Sequence, residues 1–122
     1  MAACRADWAA TAAAFVDRCL PEADSDHLRA WGRRILLRSD PESAARLLEG
    51  MDQVALDPAV LRIPVLSIHG ALDAIVPVAA ARGLAAALPD VTSHVLDGAG
   101  HVPTMTRPDA VARLFQERFG AH

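Results

Sequence analysis

The chain has 122 residues, 52% of them hydrophobic and 4% aromatic, with 12 basic and 15 acidic side chains and a formal net charge of −3. That length suits one domain, the mild acidity gives no reason to expect a nucleic-acid partner, and no stretch approaches the roughly 20 apolar residues that span a bilayer. Arg5 and Asp7 interrupt the N-terminus, which lacks the basic-then-apolar layout of a signal peptide, so a cytoplasmic setting is expected.

Residues 1–56 read as helical throughout. Trp8, Ala12, Phe15, Val16 and Cys19 share one face of a first helix, and Pro21 ends it. Cys4 and Cys19 fall within or beside that helix, about 22 Å apart along its axis, so two reduced thiols are expected and not a disulfide. A second helix starts near Ser25 or Asp26, with Leu28, Trp31 and Ile35 aligned and Gly32 weakening it. The Arg33-Arg34 pair reads as its solvated face. A third starts cleanly, with Asp40 as cap and Pro41 at the first helical position. Ala44, Leu47, Leu48 and Met51 then recur at helical spacing.

Residues 57–122 alternate strand and helix. Ile63-Pro64-Val65-Leu66-Ser67-Ile68-His69-Gly70 is a mostly apolar run ending at glycine, as in a buried parallel strand, with Pro64 at its start. A helix over about Val78–Leu88 lies between Pro77 and Pro89. Val91–Leu96 is a second strand, so the two make a strand–helix–strand crossover. The last helix is expected to be capped by Thr106, with Asp109 in the capping-box position, and to bury Val111, Leu114, Phe115 and Phe119. Two strands are few for an α/β layer. An apolar edge stays open, which predicts an incomplete sheet, self-association or an obligate partner.

The chemistry gathers past the C-terminal ends of the two strands, where open α/β sheets place their functional groups. Asp73 follows the first strand, and His101 stands in the loop Gly98-Ala99-Gly100-His101 after the second, 28 positions later. A carboxylate that accepts from an imidazole fixes its tautomer, and the histidine can then act as general base and afterwards as general acid. The competing reading of Asp73 is a turn aspartate, and that of His101 is a plain loop histidine. His69 reads as a strand-end residue lining the cleft or packed beside it, and His94 as a surface or core residue of its strand. Asp90 and Asp97 read as loop acids, Asp97 being a second candidate for the acid. Trp8, Trp31 and Met51 read as core. A metal site from His69, Asp73 and His101 matches no trusted ligand spacing, and neither Cys4 nor Cys19 sits on a turn suited to a nucleophile.

Residues 63–77, Ile63 to Pro77, resemble the acid-bearing strand and loop of α/β-hydrolase fold proteins. Gly98-Ala99-Gly100-His101-Val102-Pro103 resembles their histidine loop, and Arg107-Pro108-Asp109-Ala110-Val111 the start of their last helix. The likeness covers about residues 57–120. Residues 1–56 are more loosely similar to the helical lid inserted before the acid strand. The Gly-x-Leu-Asp-x-x-Val-Pro wording resembles the branch that contains carrier-protein methyl ester esterases. The resemblance implies the C-terminal part of an α/β-hydrolase sheet, Asp73 as triad acid, His101 as triad base, a small ester or acyl substrate, and no cofactor. It also implies a serine on a Gly-x-Ser-x-Gly elbow. Ser25, Ser39, Ser43, Ser67 and Ser93 all lack that glycine frame, so the nucleophile is expected to be missing from this chain, which then reads as the product of a truncated gene, as a split protein completed by an N-terminal-half partner, or as an artificially shortened piece. The sequence assigns no substrate-binding residues. The alternative is a non-catalytic binding or partner-completing module with the same fold remnant.

Overall fold

Asp7 breaks the alanine-rich N-terminus into two helices, because its carboxylate accepts the Ala10 N–H at 2.9 Å and caps a new start. The computed structural model describes residues 2–50 and 57–120. Helix α1 runs Ala2–Ala6 and α2 runs Trp8–Cys19. Cys4 and Cys19 therefore lie on separate helices and not along one, and both are buried free thiols. Helices α3 (Asp26–Leu36) and α4 (Pro41–Gly50) follow. Asp40 caps α4 as its sequence predicts, accepting the Ser43 N–H at 2.8 Å. Ser25 precedes α3 but makes no capping hydrogen bond with its side chain. Met51 and the expected segment boundary near residue 56 lie outside the described residues.

A 3-10 turn, Pro58–Val60, leads to β1 (Val65–Gly70), α5 (Val78–Ala87) and β2 (Val91–Leu96). The strands pair in parallel, Val65 opposite Val91 through Gly70 opposite Leu96, and α5 packs on both. Among the described residues they form a two-stranded sheet, so each strand keeps one unpaired edge. The short α6 (Pro103–Thr106) and then α7 (Pro108–Phe119) close the chain.

The start of α7 departs from the sequence reading. Thr106 ends α6, where its hydroxyl faces the Val102 carbonyl, and the residue before α7 is Arg107 with no side-chain cap. Pro108 decides this: its fixed φ and missing N–H suit the first turn, so the helix starts there and not at Thr106. The expected apolar face of α7 is also only partly covered. Leu114 is 3% exposed, but Phe115 is 57% and Phe119 42% exposed. The two rings pack on each other, with centroids 5.1 Å apart. A two-stranded sheet is too narrow to cover both the helix and its aromatic pair. Phe15, Trp31, Ile35, Leu47 and Leu48 of the first four helices are likewise exposed for the same lack of a partner layer.

The best-buried cluster sits where the two parts of the chain meet. Val16, Cys19 and Leu20 are buried against Leu28 and Leu36 from α3, Ile75 from the loop after β1, and Val102 from the loop after β2. Burying a side chain of this size stabilises by about 1.5–3 kcal/mol. The C-terminal end of α2 is thus the floor on which both loops at the sheet's C-terminal end rest.

Candidate active site

The loop after β1 is built around the two oxygens of Asp73. Oδ1 accepts the Ile75 and Val76 N–H groups at 2.8 and 2.9 Å, an aspartate turn in its own right. Oδ2 faces the Nδ1 of His101 at 2.9 Å. The turn reading and the imidazole-partner reading therefore both hold, one on each oxygen. The Asp73 side chain is 2% exposed and that of His101 31% exposed, so the acid is sealed while the imidazole reaches solvent. Because Nδ1 points at the carboxylate, Nε2 on the opposite side of the ring is directed away from it.

Three glycines make this approach feasible. Gly98 has φ +67°, a left-handed turn that L side chains rarely adopt, and it reverses the chain after β2. Gly70 ends β1 directly beneath the histidine loop: a methyl there would lie 2.7 Å from the Ala99 carbonyl carbon and nearer still to the carbonyl oxygens of Ala99 and Gly100. Gly100 lies against the Cys19 carbonyl oxygen and the ring of Pro21 with no room for a Cβ. The two loops are also stitched together, Leu72 N–H donating to Ala99 O at 2.8 Å and Ala71 N–H to Leu96 O at 2.9 Å.

The helical segment holds both loops. Arg18 donates to the Ala74 carbonyl at 2.6 Å, His101 N–H donates to the Cys19 carbonyl at 2.9 Å, and Gly100 N–H donates to Glu22 Oε1 at 2.7 Å. These contacts span more than 50 positions of sequence, and no local pattern announces them. Glu22 and the Cys19 carbonyl are accordingly the residues that sequence reasoning missed; an acid beside Pro21 in a chain turn carries no signal of its own.

The remaining candidates sort by position. His69, next to the last residue of β1, has its Nε2 2.8 Å from the Val76 carbonyl, an acceptor, so that nitrogen carries the proton. The same nitrogen lies 3.2 Å from Asp73 Oδ2 and supports the carboxylate. A proton-bearing Nε2 is not offered to a metal, and among the described residues no group of three or more His, Cys, Asp and Glu side chains is arranged to hold one. Asp97 is exposed, and Asp73, not Asp97, meets the imidazole. Asp90 pairs with Arg118. His94 is half-buried in β2 beside Leu114 of α7 and lines a shallow groove with it. Burial, and then the field of the Asp73 carboxylate, push the Cys19 thiol up, so it is protonated and inert as a nucleophile near neutral pH.

Burial alone would raise the Asp73 carboxyl. Hydrogen bonds from His101, Val76 and Ile75 outweigh it and hold the acid below the usual carboxylate range. A carboxyl whose folded value is depressed adds stability above its unfolded value, near pH 4, and loses it as pH falls through the lower folded value. The native chain is therefore expected to lose stability between pH 4 and more acidic conditions faster than Asp73→Asn does. Urea midpoints of both chains across that window check this, and parallel curves would contradict it.

The arrangement of strand, acid loop, crossover helix, strand and histidine loop can be matched in solved structures. A bromoperoxidase from Bacillus anthracis superposes with a TM-score of 0.82 at 19% identity, over 94% of this chain and 46% of that one. The 2-hydroxy-6-oxo-6-phenylhexa-2,4-dienoate hydrolase of a Rhodococcus strain superposes with a TM-score of 0.72 at 25% identity, over 98% of this chain and 47% of that one. Both are α/β-hydrolase fold proteins. The chain has about half of an α/β-hydrolase fold. Its similar curated sequences are pimeloyl-[acyl-carrier protein] methyl ester esterases. That of Aromatoleum aromaticum is 43% identical over 65 residues, 53% of this hydrolase-fold chain and 25% of the relative. That of Serratia marcescens is 38% identical over 64 residues, again 25% of the relative. The match to each of these two relatives thus spans a quarter of its length. No family model matches the chain.

Proposed function

We propose that this chain is the C-terminal portion of a serine-type carboxylic ester hydrolase, with Asp73 as the acid and His101 as the general base, and with residues 1–56 as lid and 57–122 as part of the catalytic core. The observation that carries the reading is the 2.9 Å contact between His101 Nδ1 and a sealed Asp73 Oδ2 at the C-terminal end of a parallel sheet. In that reaction Asp73 keeps the proton on Nδ1, and Nε2 takes the proton of a serine hydroxyl as it attacks the ester carbonyl. The imidazolium then returns the proton to the leaving alcohol, and water repeats the cycle on the acyl-enzyme. No Gly-x-Ser-x-Gly elbow is present in the 122 residues, so the hydroxyl comes from further polypeptide that also completes the sheet along the open strand edge. The substrate class is a small-molecule or acyl-carrier ester, by likeness to the similar esterases, and the setting is cytoplasmic. No cofactor enters the scheme.

The experiment is a graft. Joined behind a hydrolase segment that carries a Gly-x-Ser-x-Gly elbow, this chain's residues are expected to support ester hydrolysis that His101→Ala removes. The 122-residue chain alone is expected to hydrolyse p-nitrophenyl acetate no faster than its His101→Ala form. A folded graft without histidine-dependent turnover would refute the reading. The edges of β1 and β2 that stay unpaired among the described residues favour one second reading, a partner-completing module that binds through the sheet without chemistry. It predicts a folded graft whose residual activity is indifferent to His101.

A further inference from the structure

We infer that Glu22, on the loop between α2 and α3, is the positioning residue that fixes the histidine loop so that His101 keeps Nδ1 toward Asp73; the inference rests on the reading of that pair as base and acid. Glu22 is 4% exposed, and a glutamate is almost never buried unless paired. Its partner is no cation but a backbone amide: Oε1 accepts the Gly100 N–H at 2.7 Å. Oε2 is buried and has no hydrogen-bond partner among the described residues. Arg29, the nearby cation, spends its guanidinium on the carbonyls of Leu20 and Glu22 at 2.6 and 2.9 Å and on Asp26, which stiffens the Glu22 loop and leaves the carboxylate to the histidine loop.

The histidine loop needs such a tether. Gly98 and Gly100 give it backbone freedom and no side chain to anchor it. Two successive amides, Gly100 and His101, point at the helical segment and are received by Glu22 Oε1 and the Cys19 carbonyl. Glu22 Oε1 gives the Gly100 amide an acceptor that the loop's own side chains do not supply. Glu22 has no hydrogen bond to the imidazole, so it acts through the loop and not on the reacting atoms.

The test uses the full 122-residue chain labelled with nitrogen-15, and reads Gly100 amide exchange and the ring tautomer of His101. Glu22→Ala is expected to speed Gly100 exchange by at least about tenfold and to shift His101 from the Nδ1–H tautomer to a mixture. Glu22→Gln keeps an acceptor at Oε1 and restores both readings. Glu22→Asp, one methylene short of Gly100, behaves as Glu22→Ala and decides the matter if that variant fails to fold. Leu114→Ala, a comparable loss of packing on α7, leaves the His101 tautomer as in the native chain. Native readings in Glu22→Ala and Glu22→Asp, or a Glu22→Gln chain as altered as Glu22→Ala, overturn the proposal. Asp73→Asn separates the two claims. If it leaves the tautomer unchanged, the acid–base reading falls; if it changes the tautomer and the Glu22 variants do not, the role of Glu22 alone falls.

Discussion

Gly70→Ala is expected to destabilise the chain by about 3 kcal/mol or more, the upper end of what overpacking costs. The added methyl meets backbone and not a yielding side chain: the carbonyls of Ala99 and Gly100 lie inside van der Waals contact of the position it would occupy. Neither can retreat freely. Ala99 O is engaged by Leu72 N–H, and the next residue is pinned to Glu22. Small domains hold about 5 kcal/mol or a little more in total, so most of the chain's cooperativity is at stake, and the histidine loop is the first part to be displaced. Gly83→Ala is the matched control. Gly83 lies inside α5 with nothing within 4 Å of its would-be Cβ, and alanine there is expected to stabilise by about 0.5–1 kcal/mol. Urea unfolding of the two variants measures both; a Gly70→Ala midpoint equal to that of the native chain would rule out the close approach.

Asp73→Asn is expected to reduce turnover of the grafted enzyme by about 10⁴-fold, the scale seen when a triad acid becomes an amide. The reason lies in the backbone around it. The Ile75 and Val76 N–H groups demand an acceptor at the Oδ1 position, so the asparagine must place its carbonyl oxygen there and its NH₂ toward His101. His101 Nδ1 then accepts, the ring proton moves to Nε2, and the nitrogen needed as base is occupied. The His69 Nε2–H, already committed to the Val76 carbonyl, meets the same NH₂ and adds a donor-donor conflict. A loss below tenfold, with the asparagine variant folded, would mean that Asp73 does not set the tautomer.

The strands, the crossover helix and the two loop residues were legible because each rests on local grammar. Apolar runs ending at glycine gave β1, proline brackets gave α5, and Asp40-Pro41 gave the start of α4. Thr106 misled because a capping pattern and a proline two residues later compete for one helix start, and the proline's backbone geometry wins. Phe115 and Phe119 misled because periodicity reports which face is apolar and says nothing about whether a layer exists to cover it. His69 was legible as a strand end, but its approach to Asp73 depends on how the acid loop folds back over Val76. Glu22 was invisible for a stronger reason. Its meaning lies in an amide 78 positions away, and nothing in the letters around it encodes that distance.

That separation has a consequence in chain entropy. β1 and β2 are neighbours across one short helix, and their pairing closes a loop of modest length. The clasp of residues 19–22 on residues 100–101 closes a far longer one. Closing the longer loop costs more chain entropy, so the clasp that orients the imidazole is the entropically costlier of the two contacts.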